Sequence, residues 1–172
     1  MTIKIISVIF AVILLTGCSN KFKTDQFTPP PAPIAQGAKA IIMMAEDGQY
    51  GGRQYFGSGR MLSEQTQAAV SKHLSNVAMS TAPNLHTALS DAPTSSVDYV
   101  IEPKILHWED RATEWSGRPD RITIKIVVWD AKTGKSISTS LERASSKWAT
   151  LGGDHPQDLL PQLLENWSNR VF

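Results

Sequence analysis

The chain has 172 residues, 41% of them hydrophobic, and a formal net charge of +1. Residues 1–17 contain one Lys and no acid, so 16 basic and 16 acidic residues remain after them. This balance excludes attachment to nucleic acid or to an anionic bilayer through a strong net charge. Once about the first 40 residues are set aside as non-globular, the length fits one domain.

The N-terminus is typical of an export signal. Lys4 precedes an apolar run from Ile5 to Leu15, which is too short to span a bilayer as a helix. The sequence therefore predicts a signal peptide over residues 1–17.

The signal ends in Leu15-Thr16-Gly17-Cys18, which resembles a bacterial lipobox. The resemblance implies cleavage before Cys18, thioether lipidation of its sulfur and acylation, for example with palmitate, of the new amino group. Ser19 follows, which by the sorting rule of Gram-negative lipoproteins implies the outer membrane, with the domain facing the periplasm. The alternative is a plain secretory signal with a chance cysteine. Cys18 is the only cysteine, so the lipidated protein would have no free thiol, as suits an oxidising compartment.

Residues 18–38 are predicted to be a lipidated N-terminus followed by a proline-rich tether. The run from Thr28 to Pro33 contains four prolines, which favour extended polyproline II structure. Such a tether would reach at most about 60 Å. A proline-rich ligand for a partner is the alternative interpretation.

The first half of the predicted domain, residues 39–172, alternates strands and helices. A short apolar run predicts a buried strand over Lys39–Ala45, and a Gly- and Tyr-rich loop follows over Glu46–Gly59. Periodic apolar residues predict a helix over about Met61–Val77. A brief strand at Val77–Met79 and a short helix over Asn84–Asp91, preceded by a proline, complete this half.

The second half centres on the segment Asp120–Asp130, in which one face of a strand is apolar: Ile122, Ile124, Ile126 and Val128. Strands are predicted on either side, over Asp98–Glu109 and Lys135–Thr150. Pro103 is expected to bulge the first of these or to break its pairing, and Gly134 suits a hairpin turn with positive φ.

A C-terminal helix is predicted from about Asp158 to Arg170, after a capping turn over His155–Asp158, because Pro161 must lie within its first turn. Trp108, Trp129, Trp148 and Trp167 are expected in or beside the core. Together the elements predict an α+β fold: a mixed sheet with an antiparallel C-terminal meander and helices mainly on one face.

This element order resembles the N-terminal domain type of TolB and of outer-membrane lipoproteins that activate peptidoglycan synthases. Two longer stretches, Asp98–Gly117 and Ser146–Pro161, resemble the lipoprotein family called domain of unknown function 4823. That family carries no assigned activity, so the resemblance implies a family and not a function.

No catalytic, cofactor-binding or metal-binding residue is predicted. The Gly57-Ser58-Gly59 turn fits neither a phosphate loop nor a dinucleotide fingerprint, and a tight turn into the helix is expected instead. A metal or acid–base site from the set His107, Glu109, Asp110, Asp154 and His155 is disfavoured, because no ligand-type spacing occurs. His107 and Glu109 are nevertheless expected on one face of their strand, with Asp110 opposite.

The charged loop from Glu109 to Arg121 is the predicted partner surface, formed by Arg111, Glu114, Trp115 and Arg118, because Trp and Arg are enriched in binding hot spots. The alternative is that Trp115 folds back onto the sheet while the charges are merely solvated.

Three functional hypotheses follow. The first is a non-enzymatic, lipid-anchored envelope module that binds a protein or polymer, with no nucleic acid and no cofactor. The second is a small-molecule-binding or hydrolytic domain with its site near the loop 50–59 or His107. The third is a passive envelope protein.

Overall fold

The computed structural model describes residues 19–111, 118–147 and 155–172. Its main sheet has six strands: β1 (Lys21–Thr28), β2 (Lys39–Ile42), β5 (Asn76–Met79), β6 (Tyr99–Glu109), β7 (Arg121–Asp130) and β8 (Ser136–Ser145). A separate hairpin contains β3 (Gln49–Tyr50) and β4 (Arg53–Gln54). The helices are α1 (Ser58–Val70), α2 (Leu85–Asp91) and α3 (Leu160–Val171), the last preceded by a 3-10 turn over Pro156–Leu159.

The strand order in the main sheet is β1-β8-β7-β6-β2-β5. The pairings among β1, β8, β7 and β6 are antiparallel, whereas β2 runs parallel to both β6 and β5. The predicted α+β class, with its mixed sheet and antiparallel meander, is confirmed.

One face of the sheet holds the main core. The alternating Ile122, Ile124 and Ile126 of β7 are fully buried there, as predicted. Helices α1 and α3 cover them, and α3 contributes Leu160, Leu163, Leu164, Trp167 and Val171. Trp108 and Trp167 are buried in this core, as expected; Trp129 packs on a second cluster, and Trp148 lies outside the described residues.

Among the described residues, the opposite face is covered in two places: the β3–β4 hairpin lies against the end of β6, where Tyr50 contacts His107, and α2 covers the other end. Helix α2 lies there over a small cluster formed by Met43, Ala88, Ala92, Val97, Val100 and Ala131. The rest of this face, on β1, β8, β7 and the second half of β6, is called the open face below.

The N-terminal segment departs from its prediction. Residues 19–38 were expected to form an extended tether, but Lys21–Thr28 forms edge strand β1 and pairs with β8. A bulge between Thr24 and Gln26 brings Phe22 and Phe27 onto the core face. This apolar burial explains why the segment joins the sheet.

The first helix also departs from its prediction. It begins at Ser58, directly after the left-handed Gly57 (φ 85°), and ends at Val70 rather than near Val77. Leu74 is still buried in the core. Val77 belongs to β5 and pairs there with Ala40 of β2. The apolar periodicity therefore continued past the end of the helix, because the following turn and strand face the same core.

Pro103 does not interrupt β6, contrary to the prediction, since it pairs with Ile126 in register. The carbonyl of Ile101 accepts a hydrogen bond from the Met43 amide on the β2 side. Backbone groups two residues apart in a strand point to the same side, so the Pro103 nitrogen also points towards the β2 side. Strand β2 has already ended there, so the missing N–H of Pro103 breaks no hydrogen bond of the sheet. The bulge lies instead at Leu106.

The remaining predicted elements lie within a few residues of the observed ones. Gly134 has the expected positive φ of 64°. Strand β8 ends at Ser145, and residues 148–150 of its predicted extension lie outside the described part of the chain. None of the helices in the described ranges has the length and apolar character needed to cross a membrane.

Candidate functional site

A buried carboxylate lies at the end of β6. Glu109 is only 2% exposed, although it is on the open face, where it pairs with Arg121. One of its oxygens lies 3.2 Å from His107 Nε2, and the other accepts a hydrogen bond from the guanidinium of Arg111. Tyr50 also donates a hydrogen bond to it. Two segments of the chain, the β3–β4 hairpin and the end of β6, therefore meet at one carboxylate.

The backbone explains this convergence. The bulge at Leu106 leaves His107 and Glu109 on the same face, which confirms that prediction. The β3–β4 hairpin turns through Gly51 and Gly52, whose φ angles are 58° and 80°, as a tight two-residue turn requires. It places the Tyr50 ring edge-on to His107, with 4.9 Å between the ring centroids.

The site keeps Glu109 ionised. Burial would raise the pKa of this carboxyl, but hydrogen bonds from Tyr50, His107 and Arg111, together with the Arg111 charge, outweigh burial and hold the pKa below its usual value. A buried anion with three donors is a stable, pre-organised group.

A second cluster adjoins the first through Arg111. The backbone amide of Arg111 donates to the Asp120 carboxylate at 2.6 Å, and Asp120 is 7% exposed. Asp110 Oδ1 lies 3.2 Å from His155 Nδ1. The cluster thus connects the end of β6, the start of β7 and the turn before α3.

The two clusters differ in their proton affinity. Burial, together with the nearby charge of Asp110, raises the pKa of Asp120. The hydrogen bond to Asp110 raises the pKa of His155, and the charges of Asp110, Asp158 and Asp120 add to the effect. The second cluster therefore binds protons more tightly than isolated residues would.

Ligand atoms of Asp110, Asp120 and His155 lie within 4.8 Å of one another. Among the described residues this is the group that could hold a metal ion. Its carboxylates already accept hydrogen bonds from protein groups, so the cluster is satisfied as a structural junction. The disfavoured metal or acid–base set contained Asp110 and His155 but not Asp120, and Asp154, another of its members, lies outside the described residues.

Four large apolar side chains are exposed to solvent, by between 42% and 82%: Met44, Tyr50, Phe56 and Leu106. Tyr50 contacts His107, and Leu106 is the residue directly before His107 in the chain. Leu106 and Met44 line one shallow pocket, and Phe56 lines another with Trp108 and Asp110. We call these four residues the apolar rim.

The predicted partner surface is only partly described. Arg111 lies in the Glu109 network, where it is half-buried, and Arg118 is exposed at the end of the loop. Glu114 and Trp115 lie outside the described residues. Sequence reasoning missed the apolar rim and the Tyr50–Glu109 contact, because only the fold brings the Gly-rich loop against β6.

Solved structures share this α+β fold with a helix-covered sheet. PelC from Paraburkholderia phytofirmans, a dodecamer, matches with a TM-score of 0.68 and 11% identity over 90% of this chain and 99% of that chain. A PelC variant from the same organism, also a dodecamer, gives 0.69 and 10% over 90% and 100%. The protein XCC0632 from Xanthomonas campestris, of family DUF330, gives 0.50 and 10% over 82% and 89%.

The chain itself belongs to the family described as domain of unknown function DUF4823, whose profile matches residues 33–171. This confirms the family resemblance seen in the sequence. No curated protein sequence matches the chain.

Proposed function

We propose that the protein is a lipid-anchored lipoprotein of the cell envelope that binds another protein and catalyses no reaction. The observation that carries the proposal is the apolar rim, in which Tyr50 contacts His107 of the Glu109 network. Large exposed apolar side chains that cluster on one surface favour a protein interface.

The anchor in this proposal is Cys18, followed by the outer-membrane sorting residue Ser19. Ser19 and Asn20 alone separate the lipidated residue from β1, which begins at Lys21. The domain would therefore lie directly at the membrane surface instead of at the end of a long tether.

The network beneath the rim supports binding more than catalysis. The nitrogen His107 Nε2 hydrogen-bonds to Glu109, and Glu109 is in turn occupied by Arg111 and Tyr50. These hydrogen bonds hold the β3–β4 hairpin against β6 and fix the shape of the rim beside it, although the buried Arg111 Nε has no hydrogen-bond partner. A rigid rim pays little entropy on binding, which raises affinity.

The first partner to test is a second copy of this chain, because PelC, which shares the fold, is a dodecamer. Another envelope protein or polymer is the next. Arg111 and Arg118 would lie at the polar edge of either interface.

The test is photo-crosslinking in intact envelopes, with the crosslinker at position 56, where Phe56 is 82% exposed. The matched control carries it at Lys72, on the exposed side of the chain just after α1. A defined product from position 56 alone, either a multimer of the chain or one other protein, is the expected result. Identical product patterns from both positions would contradict the proposal.

A small-molecule or hydrolytic site is the second candidate. It is supported by His107, which contacts Tyr50 and Glu109 and borders a groove of about 540 Å³ on the open face. Hydrolysis of model esters that is abolished by His107→Gln, with unchanged thermal stability, would favour this candidate over the binding module.

A further inference from the structure

We infer that the open face of the sheet rests on anionic phospholipid headgroups of the membrane that carries the anchor. This inference depends on the proposed lipidation of Cys18 and adds the orientation of the domain. It starts from a charge distribution that the balanced composition conceals.

The strand register places cations in adjacent rows across the open face. Lys21 of β1 and Arg121 of β7 are both paired with Ser145 of β8 and form one row. Lys23 and Arg143 are paired in the next row. Adjacent strands lie about 4.8 Å apart, so each row places its charges within about 10 Å of one another.

Few acids offset these cations. Asp25, in the β1 bulge, forms salt bridges with Lys23, at 2.9 Å, and with Arg143, at 2.8 Å. Within the described part of the chain, Lys21, Arg121 and Lys125 form no salt bridge. Glu109 lies opposite Arg121 in the strand register, and Lys125 pairs with Leu141 one row further along. Of the other acids on this face, Glu109 is engaged by Arg111, and Glu102 by Lys104 at 2.7 Å.

A groove of about 540 Å³ runs between these rows and is lined by Lys21, Lys23, Leu106, His107, Arg121, Thr123, Arg143, Ala144 and Ser145. Guanidinium and ammonium groups around a shallow groove suit phosphate oxygens, which Arg binds in a bidentate manner and Lys as a point charge.

The position of the anchor favours a membrane over a soluble polyanion. Lys21 is three residues from Cys18, which is about 10 Å of extended chain. That distance is comparable to the Debye length of about 8 Å at physiological ionic strength, so charge on the bilayer surface still acts on this face, although salt weakens it. The lipid retains the protein at the membrane, and the basic face sets which side of the domain meets the bilayer.

The test uses residues 19–172, which contain every described strand and helix, so that no acyl chain contributes. Co-sedimentation is measured with vesicles containing about 30 mol% phosphatidylglycerol and with neutral phosphatidylcholine vesicles. The variant Lys21→Gln/Arg121→Gln removes two unpaired cations of the face. The control Lys132→Gln/Lys135→Gln removes the same charge from the exposed turn between β7 and β8.

Binding to anionic vesicles is expected to exceed binding to neutral ones and to fall as salt rises. Each cation removed from the face should weaken the partition about fivefold, and the double variant about 25-fold, with less than a threefold change in the control. Unchanged melting temperatures of both variants would show that the fold is intact.

Two results would overturn the inference. One is equal binding by the face variant and the control. The other is binding of soluble polyglutamate, but not of vesicles, through Lys21 and Arg121. Neither result bears on lipidation, because the assay uses unlipidated protein, and the proposed anchor fails separately if the mature protein carries no acyl chain.

Discussion

Replacing Glu109 by Gln should destabilise the protein in a way that depends on pH. The carboxylate is 2% exposed and is engaged by Arg111, His107 and Tyr50. Glutamine keeps the shape but removes the charge, and its amide group places N–H donors where the carboxylate had only acceptors. Hydrogen bonds to a charged group contribute about 1.5–3 kcal/mol, and the two more exposed partners, Tyr50 and His107, add less than Arg111.

We therefore expect Glu109→Gln to lower the free energy of unfolding by about 2 kcal/mol at pH 7. For a domain of this size that corresponds to a melting temperature lower by about 4–8 °C. Because the folded-state pKa lies below the usual 4.5, the stabilisation is fully present above that pH and is lost as the pH falls through the folded-state pKa. The difference between the two proteins should thus shrink in acid.

The assay is thermal unfolding followed by circular dichroism from pH 7 down to pH 3. The control is Glu165→Gln, which removes an exposed carboxylate paired with Lys72 at 3.1 Å and should change the melting temperature by only about 1 °C. A loss for Glu109→Gln that matches this control, or one that is the same at every pH, would refute the reasoning.

Three other changes test the fold and the site. Gly59→Ala should cost about 2–3 kcal/mol by denaturant unfolding, because its Cβ would lie 2.2 Å from the Ala45 carbonyl oxygen, whereas Gly37→Ala meets nothing within 4 Å and should be near neutral. His155 should titrate by NMR above its usual pKa of 6.5, and Asp110→Asn should lower the pKa of His155. The stabilisation from this pair is fully present below pH 6.5 and is lost as the pH rises through the folded-state pKa. Glu142→Ala should cost about 3 kcal/mol, because this carboxylate is 1% exposed and binds Arg170 at 2.5 Å and Thr24 at 2.8 Å; a double-mutant cycle with Arg170→Ala that shows no coupling would contradict this.

The sheet could be predicted where its apolar alternation is regular. Strand β7 buries every second residue from Ile122 to Val128, and its pattern identified both neighbouring strands. In β1, by contrast, Phe22 and Phe27 are five residues apart, an odd spacing that places them on opposite faces of a regular strand. The bulge between Thr24 and Gln26 adds one residue and so brings both phenylalanines onto the same face. No residue type in this segment predicts a bulge.

The candidate site was harder to predict, because its parts come from distant segments. The shared face of His107 and Glu109 followed from strand geometry alone. The contact of Tyr50 with that pair depends on how the β3–β4 hairpin folds onto β6. Likewise, the cations Lys21 and Arg121 form one row only because β8 lies between their strands, so the composition showed a balanced chain and not a basic face.

Intact mass spectrometry of the mature protein extracted from the envelope tests the central claim most directly. The account predicts an N-terminus at Cys18 bearing acyl chains, and no acylated protein from a Cys18→Ser variant. A mature N-terminus at another residue, or Cys18 with a free thiol and no acyl group, would contradict it.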